Sequence, residues 1–300
     1  MDGVISPCVW SNDVAWMDRM PSLLEGEGTL AKLVEWCGPP MEFSLKQLTS
    51  KHREAYPPVV GRYFEDLVEL SLQRFRSISR IVRNIPLLRD GRTQGEIDFY
   101  LEHERGIRMQ IECAFKCYLC LGDERQLGKY HYIGPNPRDS FEKKRSKLID
   151  QQLLRRGAHL PDPDYVGSWT RGWIFYRPDQ ERPKRFPEGL APDHSKGQWL
   201  RLSELSRFLT YGGKSRKWVV HSKPLWMHFS SPASPSEGMD DETFVAQVSE
   251  EMARGVHAVM ATCYCPAVSN AYEFAQRWMI VPDHWPDSGR PEDLASRSAM

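Results

Sequence analysis

Asp98, Glu112 and Lys116 are the residues of this sequence whose types and spacing best suit chemistry. In "GEIDFYLEHERGIRMQIECAFK" the two acids are equidistant from residue 105, inside the turn signal Glu104-Arg105-Gly106. If the flanking segments pair as a hairpin, the two side chains become approximate cross-strand neighbours. Adjacent carboxylates repel and raise each other's pKa unless a cation lies between them. Hard oxygen donors at that separation suit Mg²⁺ or Mn²⁺, with water or phosphate oxygens completing the shell. Lys116 lies on the Glu112 side of its segment, where an ammonium could orient a water or stabilise charge building on a phosphate.

The elements that must position these groups follow from periodicity. In "GEIDFYLEHERG", Ile97, Phe99 and Leu101 alternate with Glu96, Asp98, Tyr100 and Glu102. In "IRMQIECAFK", Ile107, Met109, Ile111, Cys113 and Phe115 alternate with Arg108, Gln110, Glu112, Ala114 and Lys116. Period-two alternation predicts two strands, with a core face and a face that carries the acids. A third strand, "RIVRNIPLL", precedes them and ends at Arg89-Asp90-Gly91. Upstream, Phe64, Leu67, Val68, Ser71, Leu72 and Phe75 recur at helical spacing, which places Glu65 and Glu69 at the edge of a buried stripe.

Downstream, "RDSFEKKRSKLIDQQLLRRG" reads as a basic helix beginning at Asp139, with Glu142 at capping-box distance. Lys144, Lys147 and Gln151 fall at i, i+3 and i+7 on it and are candidate nucleic-acid contacts. "SWTRGWIFYRP" and "KWVVHSKPLWM" read as strands, Pro178 to Lys196 as a loop, and Leu202 to Leu209 as a short helix. Short helices are expected near Ser11 to Met20 and over Thr29 to Trp36, with a Pro57-Pro58 break after them. "SSPASPSEG" at 230–238 reads as a linker, followed by amphipathic helices around Phe244 to Met252 and in "NAYEFAQRWMIV".

The totals bound the rest. The 300 residues carry 40 basic and 40 acidic side chains, so any basic surface must arise by local clustering. No apolar run approaches the ~18 residues that span a bilayer, and a soluble, cytoplasmic protein is expected. The histidines form no metalloprotease grouping, and neither a Walker A loop nor a G-x-S-x-G elbow is present. The stretch "IECAFKCYLC" spaces Cys113, Cys117 and Cys120 as C-x3-C-x2-C, the pattern of radical S-adenosylmethionine enzymes. Alternation assigns Cys113 to the core side of a strand, and an extended segment cannot converge three sulfurs on one cubane. Buried free thiols are the expectation there.

The order helix, three strands, helix, strand, with acids on the second and third strands, resembles the PD-(D/E)XK nuclease superfamily over about residues 60 to 180. "GRYFEDL", "GEIDFYL", "IECAFKCYL" and "IGP…KLIDQQL" look more closely like an uncharacterised bacterial family placed within it. The resemblance implies an α/β fold with a restriction-endonuclease-like αβββαβ core, a mixed central sheet and flanking helical extensions. The expected division is an N-terminal helical extension over 1–58, the nuclease-like domain over 59–229, and a linker with a C-terminal helical extension over 230–300. It further implies Mg²⁺- or Mn²⁺-dependent phosphodiester hydrolysis of nucleic acid, DNA in the first place. Asp98, Glu112 and the helix-borne Glu65 are then metal ligands, the Cys113 carbonyl a further one, and Lys116 lies beside the attacking water. The superfamily's lysine stands two residues after the second acid, where this chain has Ala114. A non-catalytic relative that binds nucleic acid or a protein partner is therefore the alternative expectation.

Overall fold

A computed structural model of the chain describes residues 7–43, 59–89, 92–122, 131–157, 160–211, 216–227, 238–266 and 272–286. The expected linker at 230–238 falls almost wholly outside these residues, as do the Pro57-Pro58 break and the Asp90-Gly91 turn. The architecture is α/β with mixed strand pairing. The chain separates into two compact units. One comprises Met1–Lys116, Lys144–Gly172 and Glu188–His194, and the other Cys117–Lys143, Trp173–Pro187 and Ser195–Met300.

The first unit begins with helices α1 (Pro7–Arg19) and α2 (Thr29–Cys37), followed by α3 (Val60–Leu72). Strands β1 (Ile78–Arg89), β2 (Arg92–His103) and β3 (Arg108–Cys120) come next, and within this unit the order is β1-β2-β3-β5, with β5 at Tyr165–Tyr176. The apolar stripe of α3 is buried through Phe64, Leu67, Val68 and Leu72, and Phe64 meets Phe115 of β3 at 6.1 Å between ring centroids. The β2–β3 hairpin closes where the turn signal predicts. The His103 amide donates to the Ile107 carbonyl at 2.8 Å, and Gly106 takes φ +81°, a left-handed conformation open to glycine without a Cβ penalty.

Alternation predicts one dry and one wet face for this hairpin, but the second face is covered as well. Tyr100, Gln110, Glu112 and Ala114 are all buried. The Tyr100 hydroxyl donates to the Pro161 carbonyl at 2.8 Å. Cys113, expected on the core side, is only partly buried. The regular β2–β3 register ends at Phe99↔Ile111, and one step further the Asp98 Oδ2 accepts the Cys113 amide at 2.8 Å. A side chain thus replaces the ladder partner at that point.

Gly172 of β5 permits the close approach of β3. A Cβ built there would lie 1.8 Å from the Lys116 carbonyl oxygen. Gly172→Ala is therefore expected to cost about 3 kcal/mol, since overpacking forces backbone to shift. Chemical denaturation measures this, and an unchanged midpoint would show that the strands separate freely.

The second unit contains the ends of β3 and β5, where β4 (Tyr132–Ile133) pairs antiparallel with β3 through Leu119↔Ile133. Strand β6 (Ser195–Arg201) pairs parallel with β5 and with β9 (Tyr272–Val281). Strand β8 (Val259–Pro266) lies antiparallel between β9 and β7 (Lys217–His221). Helices α5 (Leu202–Tyr211) and α6 (Asp241–Ala253) pack here with Trp218, Phe244, Val248, Val259, Trp278 and Ile280 in one core. The Trp218 and Phe244 rings stack at 4.2 Å.

Three expectations are corrected in this unit. The segment "NAYEFAQRWMIV" is strand β9 over its described part, not a helix, because neighbours on both sides pair with its backbone. Its end, Trp278 to Val281, is buried on both faces, and such a run has no period to separate helix from strand. Strand β6 follows directly on the segment read as loop and claims its last residues, its pairing being wholly non-local. The basic helix also starts later than Asp139. That residue is tied into a turn through Gly134 and Asn136. The helix α4 (Phe141–Lys147) follows Ser140, whose Oγ accepts the Lys143 amide at 3.3 Å.

Candidate active site

Asp98 and Glu112 occupy the positions one step beyond the last regular β2–β3 pair, so the hairpin brings them side by side as its closure predicts. Glu112 has no solvent exposure. Its Oε2 accepts from Gln152 Nε2 at 3.0 Å, and its Oε1 is buried with no hydrogen-bond partner. Burial pushes the Glu112 carboxyl up to about 8, the neighbouring Asp98 charge adds to this, and Arg155 and Lys144 oppose it. Asp98 is likewise raised by burial, against the Cys113 amide and the charge of Lys144. Both acids bind protons more readily than free carboxylates, as acidic neighbours withdrawn from water do.

Gln152 reaches Glu112 because the helix after β3 changes form. Following α4, Leu148–Gln152 is a π-turn, and the Leu153 amide donates to the Leu148 carbonyl five residues back at 2.9 Å. Each π-turn inserts one residue into the helical register. Position i+8 from Lys144 therefore takes the place that i+7 would hold in a continuous α-helix. Gln152, not Gln151, faces the acids, and Gln151 is exposed. Lys144 Nζ donates to Gln152 Oε1 at 3.0 Å, which yields a continuous chain Lys144–Gln152–Glu112. Burial and the nearby Lys116 lower the Lys144 ammonium pKa, while Asp98 and Glu112 favour its charge. Lys147, the third predicted nucleic-acid contact, is exposed.

Glu65 stands within the field of Asp98, yet its carboxylate is engaged elsewhere. Oε2 lies 3.2 Å from both Arg62 and Arg83, and Arg83 also holds Asp66 at 2.6 Å and Glu69 at 2.8 Å. Burial raises the Glu65 pKa, with Arg62 opposing and Asp98 reinforcing. Asn84 lies beside this group with φ +54°. The β1–β2 register, Arg83↔Phe99 and Ile85↔Ile97, sets Asn84 opposite Asp98. A non-glycine residue in that conformation within a strand is uncommon, and asparagine is among the few that adopt it readily.

Sequence reasoning missed Gln152, Arg155 and Asn84. Arg155 Nη1 donates to the Glu96 carbonyl at 3.0 Å, and its guanidinium fills the space a Cβ on Gly95 would need. No local signal announces the π-turn that brings Gln152 to the acids. For Asn84, an asparagine inside an apolar strand pattern was the available hint.

Among the described residues, no three His, Cys, Asp or Glu side chains stand together as a metal-ligand set. The residues that fit a hard cation are thus two carboxylates, with one buried, bare oxygen on Glu112. Cys113, Cys117 and Cys120 lie as thiols along the single strand β3. The Cys113 thiol sits in the field of Asp98, Glu65 and Glu112 and is raised by burial first and by those charges second.

The family described as Domain of unknown function (DUF1853) matches residues 12–281. The chain belongs to that family. Its matched span includes every residue of the acid site and both compact units' described strands. No curated protein and no solved structure matches the chain. Among the described residues, no helix is long and apolar enough to cross a membrane.

Proposed function

We propose that the chain is a metal-dependent phosphodiesterase acting on nucleic acid, DNA in the first place, of the PD-(D/E)XK type. The observation that carries this reading is the fully buried Glu112 carboxylate, its Oε1 bare, set beside the half-buried Asp98. The element order α3-β1-β2-β3-α4-β5, interrupted only by the two-residue β4 before α4, supports it, since it follows the αβββαβ order that the resemblance implies. Asp98 and Glu112 would hold Mg²⁺ or Mn²⁺, with the Cys113 carbonyl as the further oxygen the resemblance implies. Such an ion supplies Lewis-acid stabilisation of the phosphate and a water of lowered pKa. The protein's own part is to keep Glu112 dry beside the half-buried Asp98, to fix Glu112 through Gln152, and to bring the ammonium groups of Lys116 and Lys144 near the scissile phosphate.

A second reading, a nuclease-fold protein that binds without cleaving, is favoured by Ala114 at the usual lysine position and by the arginines that hold Glu65. Cleavage of DNA and RNA substrates in Mg²⁺ and Mn²⁺, by wild type and Asp98→Ala, separates the two. Wild type is expected to cleave and Asp98→Ala to lose at least ~100-fold, the scale on which removing transition-state charge stabilisation is felt. Equal cleavage by both sinks the proposal. Binding without cleavage by either supports the second reading.

A further inference from the structure

Resting on the nuclease-like reading, we infer that Lys144, carried on α4 and oriented by Gln152, is the working cation of this site in place of the strand lysine Lys116. The β3 position two residues after Glu112 is Ala114, whose methyl is buried and offers no charge. Lys144 enters from the covering helix instead. Its Nζ is tied at 3.0 Å to Gln152 Oε1, and the same amide donates at 3.0 Å to Glu112 Oε2. An amide is suited to this bridge because one end accepts from an ammonium while the other donates to a carboxylate. The bridge fixes both the lysine's reach and the rotamer of Glu112, which a positioning residue must do to hold a reactive geometry.

The device depends on the π-turn. Without the inserted residue, Gln151 would occupy the facing position and Gln152 would turn away. π-bulges inside helices are frequent at functional sites, and here the bulge has an identifiable consequence. The Lys116 charge is felt at Lys144, so strand and helix each bring an ammonium to this part of the unit, and only that of Lys144 is tied to an acid through Gln152. The chemistry falls to the helical one, and Lys116 steers the phosphate backbone. Gln152 is a positioning residue in this arrangement, and Lys144 the group that touches substrate.

The test compares Lys144→Met, Lys116→Met and Gln152→Ala with wild type in two readouts, Mn²⁺ binding without substrate and cleavage with it. Thermal melts verify that each variant folds. Lys144→Met is expected to tighten Mn²⁺ binding about tenfold by removing a nearby positive charge and to lower kcat at least ~100-fold. Lys116→Met should change Mn²⁺ affinity and kcat less than about threefold and raise KM, as loss of a phosphate contact does. Gln152→Ala should lower kcat about tenfold at unchanged KM, whereas a purely structural glutamine would lower the melting temperature and leave kcat alone. The inference is overturned if the two lysine variants exchange these behaviours, or if Lys144→Met matches wild type in both readouts. Failure of the underlying reading looks different. Wild type and Asp98→Asn would then bind Mn²⁺ equally or not at all, and both ideas would fall together.

Discussion

Replacing Glu112 with glutamine is expected to stabilise the metal-free protein at pH 9 and to leave its stability nearly unchanged at pH 5. The Glu112 carboxyl is pushed from 4.5 up to about 8 by burial and by Asp98. A folded-state pKa above the unfolded one means that the native state binds the proton more tightly. Stability then falls as pH rises from about 4.5 to about 8, with a slope approaching ~1.4 kcal/mol per pH unit. Below that window the carboxyl is neutral and behaves as glutamine does. Above it, the protein holds a buried charge whose Oε1 has no partner. In Glu112→Gln the new amide would still accept from Gln152 and could donate toward Asp98, so the gain at pH 9 should reach a few kcal/mol. Denaturant titrations of both proteins at several pH values measure it. A wild-type stability that is flat between pH 5 and 9 would refute the prediction. Added Mg²⁺ should raise the stability of wild type at pH 9 and not that of Glu112→Gln, since only a ligand bound to the native state stabilises it.

The second large effect lies away from the acids. Glu27 and Arg171 form an ion pair at 2.7 Å with side chains only 3% and 5% exposed. Glu27 Oε2 accepts from the Thr170 amide and from the Thr170 hydroxyl, both at 2.6 Å, and Ser22 donates to Oε1 at 3.1 Å. Arg171 also donates to the Met17 and Thr170 carbonyls at 3.1 and 2.7 Å. The pair thus staples the segment after α1 to β5. Burial raises the Glu27 pKa even against the adjacent guanidinium and the Thr170 hydrogen bonds, so desolvation outweighs them. Glu27→Ala leaves Arg171 buried and unpaired, and a loss of roughly 3–5 kcal/mol is expected. The double variant Glu27→Met with Arg171→Met should lose less than Glu27→Ala alone, because no uncompensated charge remains. A Glu27→Ala loss below about 1 kcal/mol would show that water enters and solvates Arg171.

Much of the acid site was legible in the residues. The turn at Glu104-Arg105-Gly106 fixes the hairpin register, and symmetry about residue 105 then makes Asp98 and Glu112 neighbours. The α3 stripe places Glu65 at its edge and buries Phe64, Leu67 and Val68 as periodicity requires. These are local consequences of periods of two and 3.6 residues, and they need no knowledge of what packs against them. Other features had no local signature. The choice of Gln152 over Gln151 turns on one inserted residue in the helix, and helical spacing counted from Lys144 selects the wrong glutamine. Glu65 is drawn to Arg62 and Arg83, and the second of these comes from a different element.

Local sequence was enough for the hairpin, for the adjacency of its two acids and for the helix that precedes them. Short turns and alternating side chains act within a few residues, so nothing distant is needed to read them. Long-range packing set the rest: the burial of the acid-bearing face, the strand identity of β9 between two neighbours, and the link from Lys144 to Glu112 through Gln152. Each of those outcomes depends on groups distant in sequence competing for the same buried donors and acceptors, and that competition is resolved only when the elements pack together.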